Sequence, residues 1–126
     1  MKEYAAKDIR NFAIVGHGAS GKTILSESML SNGGEINRIG SIEGGSTISD
    51  YHHDEQDRQI SIHSSPLHLE WMNTKFNMID TPGYLDFIGE SISSLAVVDL
   101  AVVVVHAVNG IEVGTEQVWN YANDYG

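Results

Sequence analysis

The chain has 126 residues, of which 41% are hydrophobic, 7 are Lys or Arg and 17 are Asp or Glu, giving a formal net charge of -10. That length and apolar content suffice for one folded domain with a moderate core, and the acidic balance excludes a general electrostatic grip on nucleic acid or an anionic membrane. Cysteine is absent, which removes disulfides, thiolate nucleophiles and zinc–thiolate sites.

In chain order, the amino terminus lacks an apolar signal core and no later stretch approaches the roughly 18 apolar residues of a membrane span, so a cytoplasmic monomer with no membrane partner is expected. Residues 12–15 (Phe-Ala-Ile-Val) predict a buried strand. Residues 22 to about 31 predict a helix, stopped by Asn32-Gly33-Gly34. Residues 35–65 have poor periodicity, with Gly44-Gly45 and a polar block at 50–59, and predict a long mobile loop. Residues 66–71 and 75–80 predict a hairpin turning at Asn73-Thr74. Residues 91–98 predict the end of a helix, and the run 100–107 (Leu-Ala-Val-Val-Val-Val-His-Ala), the most continuously apolar of the chain, predicts a central parallel strand covered on both faces. Thr115 is placed to cap a last helix over 115–122. The fold class is therefore α/β. A strand as apolar as 100–107 needs paired edges, so residues 1–126 are expected to be the N-terminal portion of a larger domain.

Two motifs carry chemistry. Gly16-His17-Gly18-Ala19-Ser20-Gly21-Lys22-Thr23 is a complete G-x-x-x-x-G-K-S/T phosphate loop, placed between the first strand and the first helix. Its backbone N–H groups form a nest for phosphate oxygens, Lys22 reaches the β- and γ-phosphates, and the Thr23 hydroxyl is a ligand for Mg2+. A chance glycine-rich turn is the bland alternative, and the strand-loop-helix context argues against it. Asp80-Thr81-Pro82-Gly83 closes the strand 75–80 with D-x-x-G. There the aspartate holds a magnesium-bound water, and the glycine brings its N–H to the γ-phosphate. At the end of a strand downstream of a phosphate loop, that motif favours a nucleotide switch over a small-molecule kinase or a plain capped turn.

A third segment, Arg58-Gln59-Ile60-Ser61-Ile62, makes a resemblance plain. The chain resembles the start of the GTP-binding domain of elongation factor G and the wider translational GTPase family, whose first switch carries Arg-Gly-Ile-Thr-Ile at this place. The likeness extends over nearly the whole chain, including residues 105–111. It implies a P-loop NTPase three-layer sandwich, incomplete at the C-terminus because the guanine-reading N-K-x-D element does not occur within the given residues. It also implies GTP or GDP and Mg2+ as ligands and the ribosome as partner. By the same resemblance Gly16 to Thr23 and Asp80 to Gly83 line the nucleotide phosphates, Thr23 and Ser61 bind Mg2+ directly, and Asp80 binds it through water. Gly83 senses the γ-phosphate, and Tyr84 and Ile60 stand where the attacking water is positioned.

The departures from that family are specific. The P-loop aspartate associated with a monovalent cation is Ala19 here. One apolar wing of the gate before the water is Gly18, while the other is kept as Ile60. The water-positioning histidine after D-x-P-G is Tyr84, whose phenol can donate or accept a hydrogen bond but cannot become a cation. Some second-copy elongation factor G proteins are similar in having tyrosine there, and Asp86-Phe87 and residues 116–119 fit that subgroup. Two other readings stay open on sequence alone: a GTP-binding module with little turnover, and a P-loop ATPase or kinase. His52-His53-Asp54-Glu55 reads as part of a solvated loop rather than a metal cluster, because adjacent side chains of an extended segment diverge. His17 is read as part of the phosphate cradle with a packing role, and His63, His68 and His106 as strand residues.

Overall fold

The computed structural model describes residues 2–126. Its first strand, β1 (Ile9–Gly16), carries apolar side chains on both faces, since successive strand residues point opposite ways. Phe12 and Ile14 face one side, Ala13 and Val15 the other, and all four are buried. Each face therefore needs a cover. Helix α1 (Lys22–Asn32) brings Leu25, Met29 and Leu30 onto the Phe12 face. On the Ala13 face, α3 (Ile88–Leu95) and α4 (Val113–Tyr125) supply Leu95 and Val118. Helix, sheet and helix form three layers, each fully buried aliphatic side chain contributing about 1.5–3 kcal/mol.

The sheet is completed by β2 (Ser65–Trp71), β3 (Thr74–Asp80) and β4 (Leu100–Val104), in the order β2-β3-β1-β4. β1 runs parallel to β3, with Ile14 opposite Asp80, and parallel to β4, with Gly16 opposite Val104. β2 returns antiparallel along β3, with Ser65 opposite Asp80. The carboxyl ends of β1 and β3, which lead into the two motifs, therefore open on the same end of the sheet, where parallel α/β sheets place their ligands.

Several expectations change. The hairpin turns at Met72-Asn73, at φ +48 and +59, and Thr74 already belongs to β3; two left-handed residues give the turn whose twist matches the flanking strands. The expected loop 35–65 contains a short helix, α2 (His53–Arg58), whose residues are all polar and whose one buried member is Glu55. Within these four strands the apolar run 100–107 lies beside β1 at the end of the order. Among the described residues β4 pairs with β1 alone and Leu100 is 61% exposed. β4 also stops at Val104, and the His106 ring nitrogen Nδ1 accepts the N–H groups of Val108 and Asn109 at 3.2 and 3.0 Å in the turn beyond. His63 lies in the exposed loop before β2, with Nε2 3.6 Å from Asp54 Oδ2, whereas His68 is in β2 as expected. α3 ends at Leu95, after a 3-10 turn at Leu85–Phe87. α4 starts at Val113, and Thr115 Oγ1 accepts the Glu112 N–H at 3.3 Å from inside the helix. No described helix is long and apolar enough to cross a membrane.

Candidate functional site

The loop that leaves β1 is shaped by residues able to hold unusual backbone angles. Gly21 enters α1 at φ +101, a region that favours glycine. Ala19, exposed at the tip, is held at φ +61, a strained position for a residue with a side chain. Inside this loop the Lys22 ammonium is buried and donates to the carbonyl oxygen of His17 at 2.8 Å. Burial lowers its pKa to about 8, against the opposite pull of Asp80 and Asp50. Ser20 Oγ is buried with no hydrogen-bond partner. The His17 side chain turns away from the cradle: Nδ1 accepts the Gly114 N–H at 3.2 Å, and Nε2 lies 3.8 Å from Glu112 Oε1. An accepting Nδ1 leaves the proton on Nε2. His17 thus joins the phosphate loop to the start of α4, and only its backbone belongs to the cradle.

At the second residue of α1, Thr23 Oγ1 donates to Asp80 Oδ2 at 2.9 Å and lies 3.2 Å from Ser61 Oγ. Asp80 is pushed up to about 6 by burial, a rise that the nearby Ser49 hydroxyl and then the Thr23 hydroxyl oppose, and its Oδ1 lacks a partner at hydrogen-bond distance. Asp50 stands at the same corner, also buried, its carboxyl raised mainly by burial and countered by the Ser61 hydroxyl, with Oδ1 again unpartnered. Two hydroxyls and two carboxylates make an all-oxygen donor set. The 3.2 Å between the hydroxyls is close to the roughly 3 Å that separates neighbouring corners of an octahedron with 2.0–2.1 Å bonds. These residues fit Mg2+. Asp50 is a site residue that sequence reasoning passed over; it carries no local signal, being one acid in a polar stretch.

Two other buried carboxylates hold the loop that delivers Asp50 and Ser61. Glu27 of α1 accepts the N–H groups of Gly40 at 2.8 Å and Ile48 at 2.6 Å. Glu55 of α2 accepts those of Ile62 at 3.0 Å, His63 at 2.9 Å and His52 at 3.3 Å. The D-x-x-G turn is fixed as firmly: Thr81 Oγ1 donates to the Ile14 carbonyl at 2.7 Å, and the Pro82 carbonyl accepts the Ser91 hydroxyl at 2.9 Å. Gly83 packs directly on the phosphate loop, where an added Cβ would stand 2.6 Å from Gly18 N, so only glycine fits. Gly18, Lys22, Asp50, Ile60, Gly83 and Tyr84 border a cavity of about 100 Å³ between the loops. The structure thus brings the predicted phosphate-loop, D-x-x-G, Ile60, Ser61 and Tyr84 positions together. His52 and His53 remain outside it; the His52 ring lies 4.2 Å from that of Tyr51 and 4.7 Å from that of His63, on the exposed side of α2.

A three-layer fold around a mostly parallel sheet, with a phosphate loop after β1 and D-x-x-G at the adjacent strand end, defines a P-loop nucleotide-binding domain. The profile of the elongation factor Tu GTP-binding domain matches residues 7–126, and the chain belongs to that family. The resemblance to translational GTPases of the elongation factor G type holds in the relatives as well. The chain is 44% identical over 118 residues to a mitochondrial ribosome-releasing factor 2 of Candida dubliniensis, a match covering 94% of this chain and 15% of that protein. It is 43% identical over 123 residues to the factor of the same name from Candida albicans, covering 98% of this chain and 15% of that one. A solved structure from Thermus thermophilus has a TM-score of 0.90 at 37% identity, over 92% of this chain and 18% of that one. The bacterial selenocysteine-specific elongation factor, at 24% identity and a TM-score of 0.72 over 93% of this chain and 18% of its own, shares the fold. The chain spans about 15% of the length of the curated relatives it matches.

Proposed function

We propose that this domain binds GTP together with Mg2+ and hydrolyses it to GDP and phosphate, as the switch of a protein that works on the ribosome. The observation that carries this reading is the convergence of Lys22, Thr23, Ser61 and Asp80, from three separate segments, at the mouth of the Gly16 to Thr23 loop. Guanine preference is supported by membership in a family of GTP-binding domains. The ribosome is supported by relatives named as ribosome-releasing factors.

In this reading the loop N–H groups and the Lys22 ammonium hold the β- and γ-phosphate oxygens and offset the charge that builds up as the terminal phosphoryl group departs. Thr23 and Ser61, with Asp80 and Asp50 beside them, would hold Mg2+, and the ion bound there would neutralise phosphate charge. Ile60 presents apolar surface that excludes bulk water from the terminal phosphate. Tyr84 flanks the line along which a water attacks in line with the leaving oxygen of GDP. Positioning and charge neutralisation, rather than covalent chemistry, supply the rate.

The test is phosphate release from GTP by the intact protein, with and without ribosomes, with ATP as control. Release that is selective for GTP and stimulated by ribosomes is the expected result. Equal turnover of ATP would remove the guanine assignment, and tight GTP binding without release would remove the hydrolase assignment.

A further inference from the structure

The ring of Tyr84 is seated on Gly18. A Cβ built on Gly18 would stand 3.0 Å from both Cε2 and Cζ of Tyr84 and 3.2 Å from Cδ2, so the ring occupies the volume that a side chain at position 18 would take. One residue earlier the backbone is just as close. A Cβ on Gly83 would stand 2.6 Å from Gly18 N and 2.7 Å from His17 C, and nearer still to Lys22 Nζ. That ammonium is in turn bonded to the His17 carbonyl at 2.8 Å. Two glycines facing each other thus let residues 83–84 lie directly on the phosphate loop over Lys22.

This contact conflicts with a third phosphate. A phosphoryl group held between an ammonium and a backbone N–H takes a hydrogen bond of about 2.8–2.9 Å on each side and needs room for its oxygens between them. The Gly83 backbone packs against Lys22 so closely that even a methyl group would not fit between them. The outer side of Tyr84 is open, the residue being 42% exposed, so the ring has room to rotate off its seat.

We propose that residues 83–84 form a latch in which Tyr84, seated on Gly18, closes the terminal-phosphate position at Lys22, so that a nucleoside triphosphate must unseat the ring and a diphosphate need not. The proposal rests on the nucleotide-binding reading above and adds to it a cost selective for the third phosphate. It makes Tyr84 a specificity-determining residue whose action depends on glycine at position 18.

The experiment measures the affinities of the intact protein for GDP and for GTPγS in wild type, Tyr84→Ala, Tyr84→Phe, Gly18→Ala and the double variant Gly18→Ala/Tyr84→Ala. Tyr84→Ala is expected to tighten GTPγS by about fivefold or more while GDP stays within about twofold. Tyr84→Phe keeps the ring and the wild-type ratio of the two affinities. Gly18→Ala, whose methyl crowds the ring off its seat, shifts the ratio in the same direction as Tyr84→Ala. The double variant goes no further than the larger single effect, because both changes break one contact. A ratio unchanged or lowered in Tyr84→Ala overturns the latch, as does a Tyr84→Phe protein that behaves like Tyr84→Ala. Effects of the two single changes that simply add overturn it too. Wild-type protein that binds neither nucleotide overturns the nucleotide-binding reading, and the latch with it.

Discussion

The loop between α1 and β2 has two sides, and they treat a buried carboxylate in opposite ways. Away from the phosphate loop, Glu27 and Glu55 accept the backbone N–H groups of Gly40, Ile48, His52, Ile62 and His63, so the cost of taking their charge out of water is offset inside the protein. Facing the phosphate loop, Asp50 and Asp80 are buried as well, yet each keeps an oxygen with no partner, and burial raises both carboxyls. The difference separates two uses of one functional group. A carboxylate saturated by backbone donors fixes a chain path; one left half-satisfied in a cluster of hydroxyls is held ready for a cation.

The largest expected effect lies on the saturated side. Glu55→Ala strands three N–H groups and should cost roughly 3–5 kcal/mol in chemical denaturation; a loss under about 1 kcal/mol would break the contrast. Asp80→Asn should do the reverse in metal-free protein. Because the folded carboxyl is raised from 3.8 to about 6, wild-type stability is greatest when Asp80 is protonated and falls as pH rises through that range, by up to about 3 kcal/mol. The asparagine variant should lack this part of the pH dependence, and saturating Mg2+ should suppress it in wild type, both read from melting temperatures across pH 4–7.

A smaller effect concerns Lys22, the cation of the same corner. With its pKa lowered from 10.5 to about 8, the free site loses its ammonium as pH rises above 8, while bound phosphate needs it. GDP affinity should fall by about tenfold between pH 8 and pH 9.5, and calorimetry there should show proton uptake on binding. The smallest effect is expected of Asp50→Asn, which should weaken Mg2+ affinity severalfold by equilibrium dialysis and leave metal-free stability within about 0.5 kcal/mol of wild type. A destabilisation like that of Glu55→Ala would move Asp50 to the structural side of the comparison.

The phosphate loop and D-x-x-G were legible because each is a short pattern whose residue types follow from phosphate and metal chemistry, whereas Ser61 was singled out only by the resemblance of residues 58–62 to the family's first switch. Strands β1 and β3 were legible from their apolar content. An apolar run such as 100–107 reports coverage of a strand's faces by helices and is silent about its lateral neighbours. Helix α2 escaped because every residue in His53–Arg58 is polar: the helix buries a carboxylate instead of an apolar stripe, so periodicity has nothing to detect. Asp50 and the partners of Glu27 were invisible for a related reason, since their roles arise only when the chain folds back on itself. The seat of Tyr84 on Gly18 brings into one contact two positions that the sequence presented as separate.

The parallel pairing of β1 with β3 also bears on how the chain reaches this state. Asn11 and Asn77, neighbours across the two strands and hydrogen-bonded at 2.9 Å, are 66 residues apart, and the chain between them contains α1 and the whole carboxylate-pinned loop. Forming the centre of the sheet therefore requires closing one long excursion, a search that slows folding. Its equilibrium cost grows only with the logarithm of length, about 0.6 kcal/mol for each doubling. The stretch between α1 and α2 can accordingly lengthen or shorten at little thermodynamic expense, provided its two glutamate anchors are kept. The part of the domain that reaches over the phosphate loop is thus the part most free to diverge in length while the sheet beneath it stays the same.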